Sequence, residues 1–393
     1  MTRAVIVAAR RTAVAPRRGG FAGIETHDLA APVLRACLAD AGLDPVQVDE
    51  VILGNALAGG GNVARLAGLA AGLPDAVPAL TVDRQCCSGL DAIMLAVALI
   101  EAGMAQAILA GGVESWSRAP LRAVRPRGAE EAPVFYERPP FAPDPARDPD
   151  PLEAMAALAV RADITRIAQA GIAAASHARA LAARQRLVRE IVPLAGLDHD
   201  AFTRALTPRL SLRAPIVAGE GAHAIDATGV AVEADAAAAV LVLAEDLADR
   251  LGLNGCTVVA AVSTGSAPER PFEALERAAL EALGGDASGC AVLEIMESTA
   301  VQFANSLAAL GVEPERVNRG GGALSRGHPI GASGAILAVR LFHELLEPDL
   351  ATGSFTIHTT PDGYASPPHP SLGLAAIAAA GGLGSALLIE PRR

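Results

Sequence analysis

The 393-residue chain reads as an α/β protein of two similar halves, each a parallel sheet layered with helices, the first half interrupted by an irregular insertion. Three observations predict this. Short β-branched or Ala/Val/Leu runs alternate with segments of helical spacing, the signature of strand–helix layering. The order of elements recurs at an offset of 245 residues, marked by the Ser-Gly pairs Ser88-Gly89 and Ser333-Gly334. At Ala119 the alternation gives way to arginines and prolines and returns only at Asp235. The expected division is residues 1–118 with 235–250 as the first half, 119–234 as an inserted loop subdomain, and 251–393 as the second half.

In order, Ala4 to Ala8 is a buried strand, Arg10 to Gly23 a loop, Leu29 to Ala41 a helix closed by Gly42, and Val48 to Leu53 a strand. Arg65 to Gly72 is a helix, Pro78 to Val82 is extended, and a polar turn with Cys86 and Cys87 opens a helix reaching Ala102. Ala107 to Gly111 is a strand. The insertion contributes helices over Leu152 to Ala162 and Thr165 to Ala182, and Asp235 to Leu243 returns to the sheet. The second half repeats the plan with strands at Cys256 to Val262 and Ala291 to Glu294, a helix at Phe272 to Leu283, and a helix from Gly331.

Composition narrows the function classes. Half the residues are hydrophobic (51%) but only 3% aromatic, which suits tightly packed Ala/Leu/Val layers rather than a disordered chain. A net charge of −11 argues against a nucleic-acid partner, which needs a concentrated basic surface. No apolar run reaches membrane-spanning length, and the N-terminus reads directly as a strand without signal-peptide features. Five scattered cysteines fit reduced thiols, not a disulfide framework, so a cytoplasmic protein is expected.

Chemistry concentrates in the two repeated turns. Cys86 precedes the Ser-Gly helix of the first half, where a helix start is expected to lower a thiol's pKa and favour the nucleophilic thiolate. His328, in Arg-Gly-His-Pro, precedes the Ser-Gly helix of the second half. Halves packed about a pseudo-twofold would bring thiol and imidazole together. The bland reading, two buried cysteines and a structural histidine, is disfavoured by that symmetry.

These stretches resemble the thiolase family over nearly the whole chain. Thr81 to Leu90 is similar to its nucleophile box, Gly111 to Pro120 to its Glu-Ser-x-Ser-x-x-Pro box, Val317 to Gly334 to its histidine box, and Gly381 to Gly384 to its closing glycine box. The resemblance implies the thiolase fold, a five-layer α-β-α-β-α sandwich of two duplicated halves, each with a five-stranded mixed sheet, assembled as a homodimer or homotetramer. It implies an acyl-CoA substrate, with coenzyme A or a carrier protein as the thiol carrier, no metal and no permanently bound cofactor. By the same resemblance Cys86 is the acylated nucleophile and His328 its activator. The backbone N–H groups of Cys86 and Ala380 form an oxyanion hole, Met155 and Met296 touch substrate, and Glu297 is a candidate acid/base or orienting residue.

The sequence departs from the family at chemically important positions. The family's second cysteine is replaced within Ala378-Ala379-Ala380, and its Asn-Glu-Ala-Phe box reads Met296-Glu297-Ser298-Thr299, so Met296 has no amide to hold a water. Cys87 lies where the family has a small inward-packing residue. Among substitute bases, Glu297 comes first, and His358, Asp362, Tyr364 and His369 sit in a long Pro-rich stretch. Three readings stay open: an acyltransferase that loads Cys86 and serves an altered acceptor, a conventional thiolase with a substitute base, and a catalytically silent scaffold.

Overall fold

The computed structural model describes residues 2–58, 60–287, 289–347 and 372–392. In the first half, strand β1 (Ala4–Thr12) leads to helix α1 (Thr26–Ala41), β2 (Glu50–Gly54), α2 (Val63–Ala70), β3 (Ala79–Val82), α3 (Ser88–Glu101) and β4 (Ala107–Ser115). The insertion holds α4 (Pro151–Arg161) and α5 (Arg166–Leu187), after which β5 (Ala234–Ala244) rejoins the sheet. The second half runs β6 (Cys256–Gly265), α6 (Phe272–Ala282), β7 (Val292–Ile295), α7 (Ala300–Leu310), α8 (Ile330–Leu345), β8 (Gly373–Ala379) and β9 (Leu383–Pro391).

The strand order is β7-β8-β9-β6-β1-β5-β4-β2-β3. In the first half β3, β2 and β4 are parallel, while β5 runs antiparallel to both β4 and β1. The second half repeats this: β7 and β8 are parallel, and β9 is antiparallel to β8 and β6. Its fifth strand is reduced to a parallel bridge between Val317 and Leu293, the counterpart of β3 beside β2. The halves meet edge to edge where Val5 and Ile6 pair with Thr257 and Cys256. The sheet is thus mixed, as the family resemblance implied, where strand–helix alternation alone pointed to parallel strands. All eleven residues of β5 are buried and all but Asp235 are apolar, a pattern that a strand covered on both faces shows whichever way it runs.

Helices α1 and α2 cover one sheet, α6 covers the other with α7 packed beside it, and α3 and α8 lie between them, which makes five layers. The two central helices cross at the repeated Ser-Gly pairs. A Cβ on Gly89 would stand 2.6 Å from Gly331 O, and one on Gly334 would stand 2.7 Å from Leu90 N. Only glycine lets these backbones touch.

One boundary moved for a physical reason. Strand β1 continues through Arg10 and Arg11, where a loop was expected, because Arg11 is fully buried against distant acids. Its guanidinium meets Glu190 at 2.7 Å and Asp200 at 2.7 Å, both from the insertion. Glu190 also accepts from Arg340 of α8 at 2.7 Å, and Arg340 pairs in turn with Glu344. The insertion, although it interrupts the first half, lays α4 and α5 against α7 of the second.

Candidate active site

Strand β3 ends at Val82 and a single 3₁₀ turn, Gln85–Cys87, delivers Cys86 to the start of α3. Several bonds lock this turn. Gln85 adopts φ 55 and donates its N–H to Asp83 Oδ1 at 3.0 Å. Ser88 Oγ accepts from Arg84 N at 2.8 Å and donates to Gln85 O at 2.6 Å. A left-handed non-glycine residue is costly and is retained where its surroundings enforce it.

The second turn is held as firmly. Gly327, at φ 113, has no room for a Cβ beside Ala234, and His328 donates its N–H to Val232 O at 2.7 Å. Cys86 Sγ and His328 Nε2 lie 3.1 Å apart, joined across 242 residues of sequence. The other ring nitrogen, Nδ1, is 2.6 Å from Ser333 Oγ. Both side chains keep part of their surface open to solvent.

The electrostatics differ from expectation. Burial pushes the Cys86 thiol up to about 12, although the N–H groups of Ala380 and of Cys86 itself point at the sulfur and favour its anion. Burial likewise holds His328 down at about 4. The expected lowering of the thiol pKa by the helix start is thereby corrected: desolvation of the anion is the larger effect. At neutral pH the pair is a thiol facing a neutral imidazole.

Glu114 in β4, within the Glu-Ser-x-Ser box, ties the segment after β2 to the start of α8 just beyond His328. Its carboxylate accepts from Asn55 Nδ2 at 2.8 Å, Ala56 N at 3.0 Å, Leu57 N at 3.3 Å and Gly331 N at 2.9 Å. Burial raises its carboxyl to about 7 against those donors. Neither Glu114 nor Ser333 was singled out from sequence. The available signals were an acid at the end of an otherwise apolar strand and a serine five residues after the histidine.

The other expected residues take different places. Glu297 is 1% exposed, and its oxygens accept from Ser176 Oγ at 2.7 Å, Asn318 Nδ2 at 2.8 Å and Leu324 N at 3.2 Å. These bonds clamp the Gly320–Leu324 loop leading to His328, and no hydrogen bond joins Glu297 to the imidazole itself. Met296 lies in the main core, its N–H on Ala376 O. Met155 lies in a smaller core with Phe272 and Val301. Cys87 is buried against Ile377 O, as an inward-packing residue. The turn after β8 presents Ala380 through Gly381 and Gly382, both at positive φ. His358, Asp362, Tyr364 and His369 lie outside the described residues. A cavity of about 480 Å³ is walled by Val230 to Glu233, the segment whose Val232 carbonyl holds His328. Among the described residues no group of three or more His, Cys, Asp or Glu is arranged to hold a metal, and no helix is long and apolar enough to cross a membrane.

Two layered sheets related by an internal repeat, with a thiol and an imidazole in contact where the repeats meet, define the class to which the comparisons then give a family. The model described as "Thiolase, N-terminal domain" matches residues 4–246, and "Thiolase, C-terminal domain" matches residues 253–365. The chain is 37% identical to the protein named "Putative acetyl-CoA C-acetyltransferase YhfS" of Bacillus subtilis (strain 168), covering 98% of this chain and 99% of that one. It is 33% identical to "Putative acetyl-CoA C-acetyltransferase VraB" of Staphylococcus aureus (strain MSSA476), over 87% and 93%. The crystal structure of the Bacillus anthracis acetyl-CoA acetyltransferase superposes with a TM-score of 0.85 at 30% identity, covering 100% and 99%. The chain belongs to the thiolase family. It is an acyltransferase enzyme of that family.

Proposed function

We propose that Cys86 takes an acyl group from an acyl-CoA thioester and passes it to an acceptor, with ordinary thiolysis and Claisen condensation weak. The observation that carries this is the 3.1 Å contact between Cys86 Sγ and His328 Nε2. The thiol proton moves to Nε2 as Sγ bonds the acyl carbon, and the N–H groups of Cys86 and Ala380 receive the oxygen's developing charge. The carbon–sulfur bond to coenzyme A then breaks, and Nε2–H returns the proton to the departing thiolate. Because the thiolate exists only while the imidazole holds its proton, the resting thiol's high pKa is compatible with attack.

Deacylation is where this chain parts from its family. Ala378 offers a methyl group where a second thiol would abstract a proton from the acceptor carbon. A positioned base of that kind is worth about 10² to 10⁴ in rate. The acceptors that remain are those needing no such base: a carbanion released by decarboxylation of a malonyl-type thioester, an amine or alcohol, or water, with His328 accepting the proton where one is released. Coenzyme A is the expected carrier, with no permanently bound cofactor. The expected setting is a cytoplasmic homodimer or homotetramer, with Met155 and Met296 as walls of the acyl site.

Intact-mass analysis after mixing with acetyl-CoA tests the first step. A gain of one acetyl group that disappears in Cys86→Ala is the expected result; no gain with acetyl-CoA or longer acyl-CoAs would leave the scaffold reading. Thiolysis of acetoacetyl-CoA tests the second. Turnover equal to that of the Bacillus anthracis enzyme assayed alongside would restore the conventional reading, with a base other than residue 378.

A further inference from the structure

Ser333 makes two hydrogen bonds that a helix-surface serine has no need of. Its Oγ lies 2.6 Å from His328 Nδ1 and 3.0 Å from Pro329 O, the carbonyl one helical turn back. A hydroxyl has one proton to give. Carbonyl oxygen can only accept, so the arrangement satisfying both contacts directs the hydroxyl proton to Pro329 O and leaves the Oγ lone pairs for an N–H on Nδ1. A neutral imidazole carrying its proton on Nδ1 has a bare lone pair on Nε2, and Nε2 is the atom facing the Cys86 thiol.

The internal repeat strengthens this. Ser88, 245 residues earlier, is its counterpart in the repeat and opens α3, whereas Ser333 is the fourth residue of α8. It too uses its Oγ on the turn before its own helix, accepting from Arg84 N and donating to Gln85 O. Each repeat thus has a serine in its first helical turn that grips the preceding turn. In the first half it grips backbone and so fixes where the thiol stands. In the second it grips the imidazole and so fixes which nitrogen is free. Ser333 is buried, with 4% exposure, which keeps water from competing for Nδ1.

We propose that Ser333 is a positioning residue that holds His328 in the Nδ1-protonated form, so that Nε2 is always ready to receive the Cys86 proton. This rests on the reading that Cys86 is the acylated residue, and it acts only through His328.

Nitrogen-15 spectra of the histidine-labelled protein at pH 7, with a His328→Asn difference spectrum assigning the signals, test it without touching Ser333. A bare Nε2 and a protonated Nδ1 are expected; the reverse assignment would overturn the proposal. In Ser333→Ala the two forms should mix, and Cys86 acylation by acetyl-CoA should slow by about tenfold, the order that one hydrogen bond to a charging group supplies. The acetyl-CoA concentration giving half-maximal rate should not move, and Ser333→Thr should recover the wild-type spectrum. An alanine variant that folds and keeps both the wild-type spectrum and rate would overturn it as well. Failure of wild-type Cys86 to gain an acetyl group would instead refute the functional reading and leave the spectra to judge Ser333 alone.

Discussion

Replacing Gly334 by alanine tests whether backbone contact between α3 and α8 sets the separation of Cys86 and His328. A Cβ at this position would stand 2.7 Å from Leu90 N and 2.8 Å from Leu90 Cβ, whereas ordinary contacts begin at 3.4 Å. The helices must therefore part by roughly 0.7 Å, and overpacking of that kind costs ~1–3 kcal/mol. Alanine's better helix propensity returns up to about 1 kcal/mol, so a net loss of about 1–2 kcal/mol is expected. Each helix carries one reactive side chain in the turn before it, so the 3.1 Å contact should lengthen by roughly the same amount, to the weak end of sulfur hydrogen bonding. Misplacement on the order of 1 Å slows a positioned reaction by up to about 10²-fold. Thermal unfolding and the rate of Cys86 acetylation, read by intact mass, measure the two effects. Gly171 in α5 supplies the control: a Cβ there meets nothing within 4 Å, so Gly171→Ala should stabilise by ~0.4–1 kcal/mol and leave the rate alone. A Gly334→Ala protein as stable as Gly171→Ala, acetylated within about twofold of the wild-type rate, would refute the reasoning.

Three further outcomes are expected. With burial holding His328 at about 4 and Cys86 at about 12, the neutral pair persists across roughly pH 5 to 8, and the acetylation rate should be flat there; a rise of about tenfold per pH unit would mean that free thiolate attacks instead. Ala378→Cys should raise acetoacetyl-CoA thiolysis by about 10²-fold or more if the missing base is what limits it, and an unchanged rate would place the limit elsewhere. Burial raises the Glu190 carboxyl, but the charges of Arg340 and Arg11 outweigh it and hold the group at about 2, below its ordinary 4.5. The depressed value means that Glu190 contributes stability above about pH 4.5 and loses it as pH falls toward about 2. Glu190→Gln should cost ~3 kcal/mol at pH 7 and flatten the acid limb of the stability curve, and calorimetry showing an unchanged acid limb would contradict this.

The two reactive turns were legible because the duplication marked them. Ser88-Gly89 and Ser333-Gly334 share a register, and the structure puts each glycine against the backbone of the other helix and the reactive residues of the preceding turns in contact. Strand direction was not legible from the residue pattern itself, since β5 is buried from end to end and apolar apart from Asp235, and its antiparallel pairing with β1 and β4 depends on how the chain returns from the insertion. Arg11 defeated a local reading for a related reason: a charged residue belongs in a buried strand only when its partners are known, and Glu190 and Asp200 lie 179 and 189 residues away. The thiol's pKa was misjudged because a helix start can be read from a sequence while the depth of burial cannot. Glu297 kept its carboxylate, but its use as a clamp on the Gly320–Leu324 loop depends on Ser176 of the insertion, which no motif connected to it.

The charged cluster around Arg11 has a bearing on how the molecule is made. Its members come from the first repeat (Arg11), the insertion (Glu190, Asp200) and the second repeat (Arg340, Glu344), and each is 5% exposed or less. A nascent N-terminal portion therefore holds Arg11 and its two acids without Arg340, and an isolated C-terminal portion holds Arg340 without Glu190. Separation leaves the N-terminal portion with one cation against two buried acids, an unmatched charge that costs several kcal/mol, so that portion does not close its interior until the other arrives. Shared ions thus bind the two repeats into one folding unit: the N-terminal portion expressed alone should stay open and become compact only on mixing with the C-terminal one.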